Sequence, residues 1–305
     1  MNDLDLSVII LSYNTKDITD KCLVSLQSSV QSCQKKLKNN IEVIVLDNYS
    51  KDGSVEMIEK KHKWVNLIKS KVNTGYSKGN NIAFKKTKYP FILLLNSDVF
   101  LEEDTLIKSI EYFKDHPQVD VLGPHLVFGN GIFQPSAGNL PTPFNTICWI
   151  LGISLIPYIR EYTNPFHPNY PGFFKKIKQV GWVTGAFFMI KKEVYVSVGG
   201  FDETIFMYTD EVDFCKRIKK YGYQVWYVPT IQVTHLHGES SRSVPGFAIV
   251  SELKGLKAYF KKYYAGSYFL VRPFLILGLL LRVVAFSFLG KVQRARAYIE
   301  GLSVT

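Results

Sequence analysis

The chain has 305 residues, 47% of them hydrophobic and 21% charged, with a formal net charge of +11. That apolar content excludes a disordered chain and supplies one moderate α/β domain with an appendage, or two small domains, each able to bury a core. The four scattered cysteines, Cys22, Cys33, Cys148 and Cys215, form no Cys-x-x-Cys pair, which argues against a structural zinc site or a disulfide framework and for a reducing compartment.

Residues Met1 to Asp5 are acidic rather than basic and lead directly into a strand pattern, so no secretory signal is expected. Ser7–Ser12 reads as a buried strand, and Asn14 or Thr15 caps a helix whose apolar positions Ile18, Cys22 and Leu26 recur every four residues. A second strand, Ile41–Leu46, ends on Asp47 and Asn48, and Lys51–Ser54 turns the chain into a short helix. Val65–Ile68 is a third strand, and Asn73–Asn81 reads as a polar loop leading into a helix through Ile82 and Ala83. The apolar run from Phe91 stops abruptly at Asn96-Ser97-Asp98, as a central parallel strand does when it delivers a carboxylate to the sheet edge. A helix over Asp104–Asp115 and a strand over Val119–Leu122 complete four strand–helix alternations, the pattern of a mostly parallel sheet flanked by helices.

From His125 to Gln179 the rhythm breaks into Gly, Pro and aromatic residues, a stretch of the length that carries function or disorder. Ala186–Ile190 restores a strand, Gly199–Asp202 turns, Tyr208–Asp213 opens a helix reaching about Tyr221, and Gln224–Val228 is a further strand. His235–Ser240 follows, with His235 and His237 as candidate metal or phosphate contacts or as ordinary loop histidines. Between Ser241 and Thr305, ten Lys/Arg stand against two acids, Glu252 and Glu300, so most of the net charge sits there. The same tail holds the most apolar segment, Pro273–Gly290, between Arg272 and Lys291. Basic flanks on an apolar helix point to an anionic membrane surface. Its 18 residues reach about 27 Å, near the minimum for a crossing. Arg282 at its centre, with Pro273 and Gly278 weakening a continuous helix, favours a helix lying in the interface over a span. Packing on the catalytic domain or on a second subunit is the third arrangement, and a dimer is left open.

Two groups of acids are candidates for chemistry. Asp47 and Asp98 fall where parallel strands end and can accept a base imide N–H or a ribose hydroxyl, or hold a divalent ion; Asx turns and helix caps use the same residues. Asp210, Glu211 and Asp213 begin a helix, where negative charge complements the dipole, and the apolar approach Phe206-Met207-Tyr208 can desolvate one of them into a general base.

Ser7–Asn14, Val45–Asn48 with Lys51–Ser54, Asn73–Asn81, Leu94–Asp98, Gly185-Ala186, Gly199–Asp202, Phe206–Asp213 and His235–Ser240 occur in one order. In that order they resemble the family 2 inverting glycosyltransferases of the GT-A fold, and within them the rhamnosyltransferase-like subgroup of bacterial surface-polysaccharide assembly. The resemblance implies a catalytic domain over 1–240, with a nucleotide-binding half to about 124 and an acceptor-side half after it, followed by a helical membrane-associating segment over 241–305. It implies nucleotide-sugar contacts from Ser12, Tyr13, Asn14, Asp47, Asn73, Gly75, Lys78, Asn81, Asn96 and Ser97. Asp98 matches the last acid of the metal-binding Asp-x-Asp motif and His235 the histidine that helps hold the diphosphate and its Mg2+ or Mn2+. Asn96 stands where that motif has its first acid, which lowers the local negative charge. The family's base lies in a pair usually written Glu-Asp; here the pair is Asp210-Glu211, and Glu211 holds the second place.

The implied reaction moves a sugar, with dTDP-rhamnose ahead of UDP-linked hexoses as donor, to a glycan or polyprenyl-diphosphate-linked acceptor at the cytoplasmic face of the bacterial cell membrane. A nucleotidyltransferase would share the nucleotide-binding sheet, but the Gly-rich basic loop usual near the start of such enzymes is missing after Ile10. A non-enzymatic membrane or nucleic-acid binding protein has only the basic tail in its favour, and no nucleic-acid module is recognisable.

Overall fold

The apolar run Leu6–Ser12 (β1) forms a central strand because both of its faces are covered, so every second side chain enters a different core. This computed structural model describes residues 4–236 and 246–305. After β1 come α1 (Lys16–Leu37), β2 (Ile41–Asp47), α2 (Ser54–Lys61), β3 (Asn66–Lys69), α3 (Gly75–Phe84), β4 (Phe91–Asn96), β5 (Val99–Phe100), α4 (Thr105–Asp115) and β6 (Val121–Val127). The irregular middle holds β7 (Phe133–Gln134), β8 (Ala137–Gly138), α5 (Pro143–Ile150), β9 (Lys178–Gln179) and β10 (Trp182–Val183). Then follow β11 (Phe187–Lys191), α6 (Lys192–Val198), α7 (Asp210–Lys220), β12 (Val225–His235), α8 (Phe247–Tyr263), α9 (Ser267–Phe288) and α10 (Val292–Val304).

The main sheet runs β3-β2-β1-β4-β11-β6-β12-β5. Its first four strands are mutually parallel, as is β6 with β12, while β11 lies antiparallel to both β4 and β6. Val8 and Ile10 face α1, α2 and α4 through Cys22, Leu26, Ile58 and Ile110. Ile9, Ile44 and Leu94 face the other way, toward α3, α6 and α7. Leu256, Tyr259 and Phe260 of α8 and Val271, Leu275 and Leu279 of α9 join that second core, so the helices after residue 246 pack into the layer that backs α7. The expected boundary at 240 falls outside the described residues. The four cysteines are buried free thiols.

Several local expectations are corrected. Asn73–Asn81 is not a loop: α3 begins at Gly75, because Asn48 Oδ1 accepts the Thr74 N–H at 2.9 Å and Asn73 Oδ1 accepts the Gly75 N–H at 3.0 Å. The asparagines that read as loop thus satisfy N–H groups at the helix start. Strand β6 continues through Gly123 and Pro124, and β12 through Pro229 to His235 with a register shift between Val228 and Gln232, which the proline concealed. Helix α9 is continuous through Pro273 and Gly278. Gly278 is what lets it approach α5, since a Cβ there would lie 2.6 Å from the Ile150 carbonyl oxygen. Arg282 is turned inward: its guanidinium donates to the Trp149 and Ile150 carbonyls that end α5 and to its own Gly278 carbonyl.

Candidate active site

Parallel pairing in register places Ser12 opposite Asp47 and Leu11 opposite Asn96, so the residues that follow β1, β2 and β4 share one carboxyl edge of the sheet. Asp47 is 2% exposed; Oδ1 accepts the Ser50 N–H at 2.9 Å in an Asx turn, and Oδ2 has no hydrogen-bond partner among the described residues. One oxygen thus builds the turn, and the other is a desolvated acceptor of the kind suited to an N–H or hydroxyl. Asn14, at φ 51°, fastens the same turn by donating its N–H to Ser50 Oγ and accepting the Lys51 N–H. Tyr13 is half-buried beside it, and Lys78 is exposed on the first turns of α3.

Asn48, absent from the sequence-based set, is the hub of this edge. Its own N–H reaches the Ser12 carbonyl, and its side-chain amide donates to Asn73 Oδ1 at 3.0 Å while Thr74 donates to its oxygen. Gly75 is held at φ +74° against Phe206, whose carbonyl oxygen would be 2.5 Å from a Cβ there, so only glycine fits. The structure turns three expected contacts elsewhere. The Ser12 and Ser97 hydroxyls join Thr15 and Thr19 in a buried network. Asn81 accepts from Tyr195 Oη and the Phe201 N–H and donates to the Phe201 carbonyl and Glu203, so its amide bonds the turn after Gly200. Asn96 is half-buried, with its N–H on the Ala186 carbonyl.

Asp98 and His235 meet because β5 pairs with the end of β12, where the Leu236 N–H donates to the Asp98 carbonyl at 3.0 Å. His235 Nε2 lies 3.2 Å from Asp98 Oδ1, and its Nδ1 donates to Gln134 Oε1 at 3.1 Å. A carboxylate and an imidazole at that spacing, with the imidazole oriented by a second residue, suit two adjacent positions on one Mg2+ or Mn2+ whose other ligands are phosphate oxygens and waters. No group of three acids, histidines or cysteines with metal-binding geometry occurs among the described residues. Gln134 was missed because it lies in a two-residue strand inside the irregular stretch. His237 and 238–240 lie outside the described residues.

Asp210 and Glu211 begin α7 after a turn in which Tyr208 and Thr209 both take φ 65°, an uncommon conformation for such residues. Asp210 is 3% exposed and Glu211 is half-buried. Burial, and next the charge of Glu211, push the Asp210 carboxyl well above the usual carboxylate range. Burial also raises Glu211, against which the helix-start N–H, a hydrogen bond from Asp210 and the charge of His167 act. Two neighbouring carboxyls that burial raises together disfavour a doubly ionised pair, Asp210 more strongly than Glu211. Tyr76 lies between this pair and the carboxyl edge of the sheet. Its N–H donates to the Phe206 carbonyl and its hydroxyl to the Gly185 carbonyl, and that hydroxyl is pushed well above its usual range by burial and then by the two acids. Asp213, by contrast, is spent on structure, accepting from Arg217, Lys262 and Tyr263.

The model of the family described as glycosyl transferase family 2 matches residues 7–199. An N-acetylglucosaminyl-diphospho-decaprenol L-rhamnosyltransferase of Mycobacterium tuberculosis is 22% identical over 283 residues, covering 86% of this chain and 85% of the relative. The rhamnosyltransferase WbbL of Escherichia coli is 26% identical over 264 residues, covering 83% and 91%. Among solved structures, a mannosyltransferase of Pyrobaculum calidifontis in complex with GDP-Man and Mn2+ aligns with a TM-score of 0.57 at 14% identity, covering 97% of this chain and 85% of that one. A crystal structure of TarS from S. aureus aligns at 0.53 with 15% identity, covering 98% and 90%.

Proposed function

Because the chain belongs to glycosyl transferase family 2, with the GT-A fold that its motifs imply, we propose that it transfers rhamnose from dTDP-rhamnose, with inversion, to a polyprenyl-diphosphate-linked glycan. The pair of neighbouring, largely buried acids Asp210 and Glu211 at the start of α7 is the observation that carries the chemistry. Glu211 takes the proton of the acceptor hydroxyl as its oxygen attacks the anomeric carbon; the bond from that carbon to the diphosphate breaks, and Asp210 keeps its own proton and steadies the ionised partner. A single displacement inverts the anomeric centre. Asp47 Oδ2 accepts from the base or ribose. Asp98 and His235 hold a divalent ion, which when bound supplies charge neutralisation for the departing diphosphate; the P. calidifontis structure, solved with Mn2+, supports this. The two relatives named as rhamnosyltransferases, one for a decaprenyl-diphosphate acceptor, support the donor and acceptor class. The test is consumption of a panel of nucleotide sugars by purified protein with a short polyprenyl-diphosphate glycan. A β- or α-product of anomeric configuration opposite to the donor's is expected from dTDP-rhamnose. Turnover of a UDP-hexose alone would reassign the donor, and release of pyrophosphate would indicate nucleotidyl transfer instead.

We further propose that α9 seats the enzyme on the cytoplasmic face of the membrane, where such an acceptor is found. Its inner stripe, Val271, Leu275, Gly278 and Leu279, is buried on the protein, while its outer stripe, Leu270, Phe274, Leu277, Leu281, Val284 and Phe288, is between 40% and 88% exposed. The helix is long and apolar enough to cross a membrane by length and composition, but its buried stripe and the anchoring of Arg282 on α5 support a helix lying along the surface. Arg272, Lys291, Arg294 and Arg296 are exposed around it, a charge pattern that complements anionic headgroups.

A further inference from the structure

Helix α7 starts from a turn that the backbone resists. Tyr208 and Thr209 both take φ 65°, an outlying conformation for a bulky or β-branched residue, and two in succession persist only where their surroundings fix them. Those surroundings are α8. The Tyr208 ring meets that of Phe247 edge-on at 6.1 Å. Farther along α8, Gly255 approaches so closely that a Cβ there would lie 2.5 Å from Thr209 Oγ1, 2.6 Å from Thr209 Cβ and 3.1 Å from the Tyr208 carbonyl oxygen. A glycine in a helix interior is disfavoured against alanine and needs a packing reason, which this contact supplies. Near the end of α8, Lys262 Nζ and Tyr263 Oη donate to Asp213 Oδ1 at 2.8 and 2.7 Å, and Lys262 also reaches Asp202 at 2.7 Å. Residues 247, 255 and 262 recur at helical intervals, so one face of α8 holds both the turn and the first turn of α7. Between those attachments stand Asp210 and Glu211.

We propose that, on the glycosyltransferase reading above, Phe247, Gly255, Lys262 and Tyr263 are positioning residues for the acid pair: α8 is the template that keeps the Tyr208-Thr209 turn in its strained form and so sets where the two carboxyls lie. The catalytic unit then includes α8 instead of ending near residue 240. The Thr209 carbonyl accepts the Asp213 N–H at 2.9 Å, so the turn and the first helical bond form together. Asp213, 1% exposed, is in turn tied to α8 by Lys262 and Tyr263. Thr209 is 5% exposed and its hydroxyl has no hydrogen-bond partner among the described residues, so its side chain serves the contact with Gly255 and not a hydrogen bond. Asp47 and Asp98 stand outside this clamp, the first held by its own turn and the second by the end of β12. A displaced turn should therefore slow the chemical step and leave nucleotide binding in place.

The experiment places Gly255→Ala in the full chain, which drives a methyl group into Thr209. The single-turnover rate at saturating dTDP-rhamnose is expected to fall roughly 10–100-fold, the cost of misplacing a reacting group by about 1 Å, while calorimetric affinity for dTDP stays at the wild-type value. Adding Thr209→Gly removes the atoms the methyl strikes and suits the left-handed backbone. The double variant should then turn over within about threefold of Thr209→Gly alone, as expected when one contact carries both effects. Tyr263→Phe removes one hydrogen bond to Asp213 without changing the ring and should slow the same step by a smaller factor, which covers the case of a Gly255→Ala variant that does not fold. Hydrogen exchange at the Asp213 amide reads the turn without activity: Gly255→Ala should strip its protection and Thr209→Gly restore it in the double variant, with the amides of β1 and β4 unchanged. A wild-type rate in folded Gly255→Ala, a wild-type rate in Tyr263→Phe where Gly255→Ala does not fold, or an equal fractional loss from Gly255→Ala in both backgrounds overturns the proposal. If the wild type turns over no nucleotide sugar while exchange at Asp213 follows this pattern, the clamp stands and the glycosyltransferase reading falls, so the two failures are distinguishable.

Discussion

Replacing each acid of the pair separately asks which one is the base. Glu211→Gln removes the proton acceptor and should depress the chemical step by about 10²–10⁴, which is roughly 2.7–5.5 kcal/mol of transition-state stabilisation. Asp210→Asn should cost no more than about tenfold, because the carboxyl of Asp210 is raised well above its usual range and a neutral amide can make the donation a protonated carboxyl would make. Single-turnover measurements with saturating donor read the chemical step, and calorimetric binding of the nucleoside diphosphate checks that donor affinity is unchanged. The same variants differ in stability with a definite sign. Both carboxyls have folded pKa values raised above the unfolded ones, so their contribution is fully present below about pH 4 and is lost as pH rises through the raised values. Asp210→Asn removes the more strongly raised group, and its melting temperature should exceed wild type near pH 8, with the gap closing toward acid. A reversed ranking of the rates in folded variants would move the role to Asp210, and an Asp210→Asn variant less stable than wild type near pH 8 would refute the strongly raised Asp210 carboxyl.

Asp98→Ala should weaken binding of a nucleoside diphosphate in the presence of Mn2+ by roughly 10–100-fold and leave it unresponsive to chelator; binding and chelator response equal to wild type would remove Asp98 from the metal site. Arg282→Met strands the Trp149 and Ile150 carbonyls and should lower unfolding stability by roughly 1.5–3 kcal/mol, the range for hydrogen bonds to a charged group; a melting temperature within error of wild type would contradict it. Changing Leu277, Leu281 and Val284 to Gln leaves the buried stripe of α9 intact and should release the protein from vesicles containing anionic lipid. Unchanged vesicle binding sinks the surface arrangement, and loss of a dimer instead of vesicle binding would assign the stripe to a second copy.

The strand–helix alternation to residue 122 was legible because a buried parallel strand leaves an unbroken apolar run and a polar stop, as at Leu46-Asp47 and Leu95-Asn96. Asp47, Asp98, Asp210 and Glu211 drew notice for the same reason, and the structure places each where an element begins or ends. Polar residues that serve the fold were misread in both directions. Asn73, read as loop and as a nucleotide-sugar contact, accepts an N–H at the start of α3, as does Asn48 at the end of β2, while Ser12, Ser97 and Asn81, expected as ligand contacts, hydrogen-bond within the protein. Short polar side chains carry no periodic signature, so only their partners separate the two uses.

The tail shows why a net count of charges misleads about position. Ten basic residues against two acids after residue 240 describe an average, whereas function at α7 depends on which charges the fold draws inward. Glu252 goes to His167, Lys262 to Asp202 and Asp213, and Arg282 to the end of α5. Asp202 is held at about 2 despite partial burial, by hydrogen bonds from Lys262 and Thr204, so this contact persists across the pH range in which the acid pair titrates. Arg272, Lys291, Arg294 and Arg296 stay exposed beside the exposed stripe of α9, and Lys254 and Lys261 are exposed on α8. One basic segment thus divides by face. Its inward side packs on the turn that presents Asp210 and Glu211, through Gly255 against Thr209, and its outward side leaves the apolar stripe of α9 exposed between basic residues.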